Sequence, residues 1–215
     1  MEHALPFKDV ITNRMAVIGP LVTGKKVLDL GVVDSRRQKF GTKDRLEKKT
    51  NLLFKDIHAL NPDVLGLDID GEGVKILAES GFNVVEGDAT SADLNRQFDT
   101  IVAGEIIEHL ENPGMFLRNM ARHLAPNGVM VITTPNPFYA KQTWKIWRYN
   151  EPQVHEEHTC WFDPVTLSRL CDMCGLTVRE IHWVREKSLG LKNWKAAFRT
   201  YFSENFLMVC QRKPG

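Results

Sequence analysis

The chain has 215 residues, a length that suits one domain with a sizeable core. Its formal net charge of +1 gives no global electrostatic reason to expect a nucleic-acid or membrane partner. No apolar run approaches the roughly 18 residues of a membrane-spanning helix, and the N-terminus shows no signal-peptide pattern. Four cysteines are too few for a disulfide scaffold. We therefore expect a cytoplasmic protein with reduced thiols and no membrane partner.

Short apolar strands alternate with helical segments along the chain, a pattern typical of parallel βαβ units. Helices are predicted near Pro113–Leu124, where Asn112 can act as the cap, and near Pro164–Cys174. The predicted strands are Lys26–Leu30, Val64–Leu67, Asn83–Glu86, Thr100–Ala103, Val129–Thr134, Thr177–Val184 and Phe206–Gln211. The sequence thus predicts an α/β fold with a doubly wound, mostly parallel, seven-stranded sheet and an antiparallel last strand.

We expect a single domain over residues 1–215, because no linker divides the chain. Residues 1–25 carry a predicted lead-in helix at Thr12–Leu21. The polar insertion at residues 34–49 is either a solvated loop or a lid that steers anions, since it follows the first predicted strand. Residues 135–162 are predicted to cap an acceptor site with Trp144 and Trp147 beside several basic residues, which are Lys141, Lys145 and Arg148.

Acidic residues stand at the carboxyl ends of the first four strands, where open α/β sheets bind their ligands. The four acids are Asp29, Asp68, Asp88 and Glu105. Acceptors at separate places along one cleft suit a ligand that carries an amino group, ribose hydroxyls and an adenine amino group.

The order and spacing of these residues resemble the class I S-adenosylmethionine-dependent methyltransferases over most of the chain. The resemblance implies a Rossmann-like fold and S-adenosylmethionine as cofactor. It implies that Asp29 and the turn at Gly31 support the methionine end and that Asp68 holds the ribose hydroxyls. Ile69 would lie against the adenine face, and Asp88 would accept from the adenine amino group beside the Ala89 backbone.

The first loop departs from the family pattern Asp-x-Gly-x-Gly-x-Gly. Residues 29–35 read Asp-Leu-Gly-Val-Val-Asp-Ser, so that Val33 and Ser35 replace the later glycines. Because a β-branched residue disfavours positive φ, we predict a wider turn at Val33. Two outcomes stay open: altered cofactor binding, or a non-catalytic binding module on a degenerate methyltransferase fold. The absence of Gly-x-Gly-x-x-Gly counts against NAD.

A second constellation follows the fourth strand, where residues 105–109 read Glu-Ile-Ile-Glu-His. Glu105 and Glu108 would share one face of a helical turn, with His109 next to them. Two carboxylates and an imidazole suit Mg²⁺ or Mn²⁺, or general-base chemistry without a metal. His155 or His158 from the later segment could complete the cluster.

This motif resembles two branches of the family: the ubiquinone-biosynthesis type of O-methyltransferase and the small-RNA 2′-O-methyltransferases. The second resemblance implies a metal held by Glu105, Glu108, His109 and His158, and it favours His158 over His155. We expect Glu105, His109 and His158 to be catalytic and the acceptor to be a small-molecule, lipid or saccharide hydroxyl. A metal-dependent RNA 2′-O-methyltransferase is the alternative, with nucleic acid the less favoured partner; the oligomeric state is not predicted.

Overall fold

A computed structural model of the protein describes residues 4–33, 53–185 and 199–213. The predicted insertion at residues 34–49 lies outside them. The strands are β1 (Phe7–Ile11), β2 (Val27–Leu30), β3 (Leu65–Asp68), β4 (Val84–Glu86), β5 (Phe98–Gly104), β6 (Leu124–Pro135), β7 (Leu176–Val184) and β8 (Asn205–Arg212). The α-helices are α1 (Met15–Val22), α2 (Leu53–Leu60), α3 (Gly71–Glu79), α4 (Pro113–His123), α5 (Ala140–Tyr149) and α6 (Pro164–Met173); short 3₁₀ turns lie at Ile107–His109 and Thr200–Phe202.

In the described part of the chain the strands form one sheet in the order β1-β7-β8-β6-β5-β2-β3-β4. Among the described strands, only β8 runs antiparallel, pairing with β6 on one side and β7 on the other. The predicted α/β class and the antiparallel last strand are therefore confirmed. The sheet has one strand more than predicted, because β1 adds to the edge in parallel with β7. Because this strand occupies Phe7–Ile11, the lead-in helix begins at Met15 and not at the predicted Thr12.

The central strands of the sheet are buried on both faces, as their continuous apolar sequences predict. Every residue of β2 and β3 is buried. One core packs α4 and α6 against the sheet, and a second packs α1, α2 and α3. The predicted cap of α4 is present, since the Asn112 side chain accepts from the Met115 N–H. The four cysteines are free thiols, and no described helix is long and apolar enough to cross a membrane.

The strand order reverses next to β2, which lies between β3 and β5. From β2 the chain proceeds through β3 to β4 on one side and then returns to β5 on the other. Ligands of open α/β sheets bind at such a switch point, outside the carboxyl ends of the strands. The acids predicted from the sequence follow these strand ends, so the fold brings them to one edge.

Candidate functional site

The end of β2 supplies a buried carboxyl group and a left-handed turn. Asp29 is buried, and this burial raises the pKa of its carboxyl to about 8, although a Leu30 backbone hydrogen bond and the Arg14 charge oppose the shift. Gly31 adopts a φ of +72°, which glycine tolerates without strain, and its N–H donates to the Leu67 carbonyl at 2.9 Å. The turn therefore keeps the backbone close to the sheet edge.

Val33 follows the Gly31 turn without adopting a positive φ. It is not among the non-glycine described residues with positive φ, as expected for a β-branched side chain. Its N–H donates to Asp68 Oδ2 at 2.7 Å, and its buried side chain lies against Gly73 at the start of α3. The Val33 side chain thus packs the loop after β2 against helix α3.

This packing predicts that Gly73→Ala destabilises the protein, because the new methyl group would overlap Val33 Cγ1. We expect a loss of about 1–3 kcal/mol in the free energy of unfolding, measured by urea denaturation. Gly19→Ala is the matched helical control, since its nearest neighbour would be Leu60 Cδ1 at 3.4 Å. A Val33→Ala change in the Gly73→Ala background should restore stability; unchanged stability of Gly73→Ala alone would contradict the packing.

Asp68 and Ile69 form the next part of the edge, at the end of β3. Asp68 is buried, and its two carboxylate oxygens accept from the N–H groups of Val33 and Asp70. Burial raises the pKa of this carboxyl, with the backbone hydrogen bonds opposing the shift. Ile69 is 72% exposed, which leaves a large apolar side chain available to a planar ring.

The turn after β4 contains Asp88 and Ala89. The exposed Asp88 carboxylate accepts from the Thr90 N–H at 2.8 Å and from the Thr90 hydroxyl at 2.8 Å, so it also organises its own turn. The buried Asn119 side chain of α4 donates to the Ala89 carbonyl at 3.0 Å. Asn119, which sequence reasoning missed, therefore holds this turn at the edge.

Glu105 lies apart from the other members of its motif. Its φ of +52° is a strained value for a non-glycine residue, of the kind that collects at functional sites. Its Oε1 lies 3.7 Å from Arg14 Nη1 and 3.4 Å from Asn205 Nδ2. Arg14, a second residue that sequence reasoning missed, therefore lies beside Glu105, and its charge also acts on Asp29.

Glu108, His109 and His158 come together as predicted. One ligand atom of each can be chosen so that all lie within 4.8 Å of one another, and Glu105 is not in the group. The Glu108 carboxylate is buried and its Oε2 accepts from the Thr134 hydroxyl at 3.0 Å. Its Oε1 has no hydrogen-bond partner among the described residues. An orphaned carboxylate oxygen beside two imidazoles is a place for a proton or a cation.

Burial opposes the charged forms of two members of this cluster, Glu108 and His158. Burial raises the pKa of Glu108 to about 7, with the Thr134 hydrogen bond opposing and the Glu105 charge reinforcing the shift. Burial and the neighbouring His109 and His155 lower the pKa of His158 to about 4. His158 is therefore neutral at physiological pH, the form in which an imidazole accepts a proton or binds a metal.

Main-chain hydrogen bonds hold the two halves of the cluster together. The Glu108 carbonyl accepts from the N–H of Thr159 at 2.9 Å and from the N–H of Cys160 at 3.3 Å. This pairing places His158 beside His109, with ring centroids 4.7 Å apart. The exposed His155 ring is 5.4 Å from that of His158, so it borders the cluster.

The donor set fits a divalent ion, but it contains one carboxylate where the sequence predicts two. With Glu105 turned to Arg14, the cluster offers one carboxylate and two imidazoles instead of an oxygen-rich shell. Mg²⁺ prefers oxygen ligands, whereas imidazole suits transition metals. The geometry therefore favours Mn²⁺ or another transition ion over Mg²⁺.

Comparison with known proteins agrees with this architecture. A methyltransferase-domain family matches residues 42–181, and the match begins after β2 and its loop. A methyltransferase from Archaeoglobus fulgidus has a TM-score of 0.64 at 18% identity, covering 93% of this chain and 91% of that one. A putative methyltransferase of Haloferax volcanii, in complex with the activator Trm112, has a TM-score of 0.63 at 15% identity over 93% of this chain and 89% of that one.

Curated relatives match a shorter stretch. The ubiquinone biosynthesis O-methyltransferase of Bradyrhizobium diazoefficiens is 30% identical over 100 residues, or 44% of this chain and 38% of that protein. The enzyme of the same description from Caulobacter sp. is 32% identical over 93 residues, or 40% of this chain and 37% of its own length. The chain thus spans less than two fifths of these relatives.

The family match covers more than half of the chain, which therefore belongs to the methyltransferase-domain family. The fold agrees with this family, since a solved structure described as an S-adenosylmethionine-dependent methyltransferase shares it. The predicted family is confirmed.

Proposed function

We propose that this enzyme methylates a hydroxyl group of a small-molecule, lipid or saccharide acceptor. The observation that carries the proposal is the Glu108–His109–His158 cluster, which groups two imidazoles with a buried carboxylate, one of whose oxygens has no hydrogen-bond partner among the described residues. A hydroxyl must lose its proton during methyl transfer, and such a cluster can take that proton. The similarity to proteins described as O-methyltransferases supports the same chemistry.

The cofactor would extend along the carboxyl edge. Asp68 would accept from the ribose hydroxyls, Ile69 would cover the adenine, and the Asp88–Ala89 turn would meet the adenine amino group. At the methionine end, Asp29 and the Gly31 turn would be joined by Arg14. Its guanidinium suits the α-carboxylate, while the neighbouring acids suit the α-ammonium group.

S-adenosylmethionine, when bound, supplies an electrophilic methyl group that the acceptor oxygen takes as the methyl–sulfur bond breaks. His109 would accept the hydroxyl proton as the new carbon–oxygen bond forms, and the neutral His158 would help to orient it. In its ionised form, which a pKa of about 7 leaves accessible near neutral pH, Glu108 would stabilise the imidazolium formed in this step. Positioning of the oxygen in line with the methyl group supplies much of the rate.

The same cluster also supports the second candidate, a metal-dependent RNA 2′-O-methyltransferase. Glu108, His109 and His158 would then hold a divalent ion, which lowers the pKa of a coordinated hydroxyl. The displacement of Glu105 from the group weighs against this candidate, because its resemblance implies four ligands.

Transfer of a labelled methyl group to a panel of acceptors tests the proposal. The panel should contain phenols, saccharides, hydroxylated lipids and short RNAs, with and without a chelator. We expect an alkali-stable ether on a non-RNA hydroxyl. Methylation of nitrogen or sulfur alone, or of RNA alone, would overturn the proposal. Calorimetric titration with S-adenosylmethionine serves as the control that the protein binds its cofactor under the assay conditions.

A further inference from the structure

Helix α5 is the least buried helix of the described chain and also the richest in aromatic residues. None of its ten residues is buried. Trp144 is 52% exposed and Trp147 is 79% exposed, and Tyr149 is exposed at its end. Large apolar side chains grouped on a surface in this way mark an interaction site.

The helix has two adjacent stripes of different chemistry. Ala140, Thr143, Trp144 and Trp147 follow the spacing i, i+3, i+4, i+7, which places both indoles on one stripe. The basic residues Lys141, Lys145 and Arg148 follow i, i+4, i+7 and form the next stripe around the helix. The helix contains no acidic residue. We call these two stripes together the aromatic–basic face.

Local contacts hold this face in place without burying it. The Gln142 amide donates to the Gln153 carbonyl at 3.1 Å, and the Lys145 ammonium group donates to the Gln153 side chain. The Trp144 and Tyr149 rings meet edge to face at 6.0 Å, and the Arg148 guanidinium lies 5.3 Å from the centre of the Tyr149 ring. These contacts fix the helix to the segment that follows it.

We propose that the aromatic–basic face binds an anionic lipid bilayer, with α5 lying in the plane of the headgroups. Tryptophan prefers the membrane–water interface, where its ring enters the apolar layer and its N–H stays near polar groups. Cations beside the indole stripe reach anionic headgroups at the same depth. Ten helical residues extend roughly 15 Å, so the helix lies on the bilayer and does not cross it.

This inference replaces the sequence-based expectation that the Trp144 and Trp147 helix only caps the acceptor site without a membrane partner. The net charge of +1 describes the whole chain, whereas α5 concentrates three cations on ten residues. The helix also joins the site, since β6 before it carries Thr134 and the segment after it carries His155 and His158. If the proposed function holds, docking would turn the acceptor site toward lipid-soluble hydroxyls.

Vesicle co-sedimentation of the full chain tests the proposal. Wild type should bind vesicles of phosphatidylglycerol and phosphatidylcholine, bind pure phosphatidylcholine far less, and be released by high salt. A Lys141→Gln/Arg148→Gln variant should bind about 25-fold more weakly, at about fivefold for each cation. A Trp144→Ala/Trp147→Ala variant should lose at least about tenfold.

Matched controls come from exposed residues elsewhere. Met173→Ala removes an apolar side chain that is 61% exposed on α6, and Lys75→Gln removes an exposed cation on α3; both should bind vesicles as wild type does. Circular dichroism should show every variant folded, since the changed residues are exposed. No binding to anionic vesicles, or unchanged binding of the double tryptophan variant, would overturn the proposal.

Self-association is the competing occupant of this face. A lipid-free dimer that dissociates when Trp144 and Trp147 are replaced, seen by light scattering, would assign the face to a second copy and overturn the proposal. The vesicle assay requires no methyl transfer, so its result is separate from that of the acceptor panel.

Discussion

His109→Ala is expected to lower kcat about 10²–10⁴-fold, the usual effect of removing a general base. The affinity for S-adenosylmethionine should stay near the wild-type value, since the residues proposed to hold the cofactor do not include His109. Methyl-transfer kinetics with the best acceptor, together with calorimetry of the cofactor, measure the two quantities. His155→Ala is the matched control, because this exposed imidazole borders the cluster without joining its compact group.

Treatment with a chelator distinguishes general-base catalysis by His109 from a metal-dependent mechanism. If the cluster holds an ion, activity should disappear with chelator and return with Mn²⁺ more fully than with Mg²⁺. Glu108→Gln and His158→Ala should lose that rescue, whereas Glu105→Ala should keep it because its carboxylate faces Arg14. Full activity in chelator would exclude the ion, and full activity of His109→Ala would remove this residue from the mechanism.

Asp68→Ala should weaken S-adenosylmethionine binding about 5- to 150-fold, corresponding to about 1–3 kcal/mol. The change removes the expected acceptor for the ribose hydroxyls. It also leaves the N–H groups of Val33 and Asp70 without their partner, which loosens the loop next to the cofactor. Calorimetric titration with the cofactor measures the effect.

Asp99→Ala controls for the loss of a carboxylate that accepts from the backbone. Asp99 accepts from the Lys26 N–H before β2, at the amino ends of the strands and away from the proposed cofactor site. The Asp99→Ala change should therefore lower stability without changing cofactor affinity. Equal affinities of wild type and Asp68→Ala would contradict the ribose assignment and move that role to another residue of the edge.

The sequence predicts the interior of the fold well and its margin poorly. Strands such as β2 and β3 are short and apolar apart from one aspartate each, and every residue in them is buried. Their amino-acid composition alone therefore predicts them as strands. The missed strand β1 has four exposed residues out of five, because it pairs only at the sheet edge. Its pairing with β7 depends on tertiary contacts that no local pattern records.

The same limit explains the site. The family resemblance implies that His158 joins His109, and the structure brings their ring centroids to 4.7 Å, whereas the spacing of the motif predicts a regular helical turn. The 3₁₀ turn begins only at Ile107, and the positive φ of Glu105 sends that side chain elsewhere. No sequence pattern singles out Arg14, because one arginine near the start of a helix is common. Only the folded structure shows that its guanidinium lies 3.7 Å from Glu105.

The hydrogen bonds from Thr159 and Cys160 to the Glu108 carbonyl make the site a scaffold for redesign. They join main-chain atoms, so the frame that sets the distances of the cluster does not depend on which side chains stand at positions 109 and 158. If the cluster holds an ion, exchanging an imidazole there for a carboxylate would shift its preference toward hard cations, because carboxylate suits such ions better than imidazole does. The main-chain hydrogen bonds would still set the distance between the two segments.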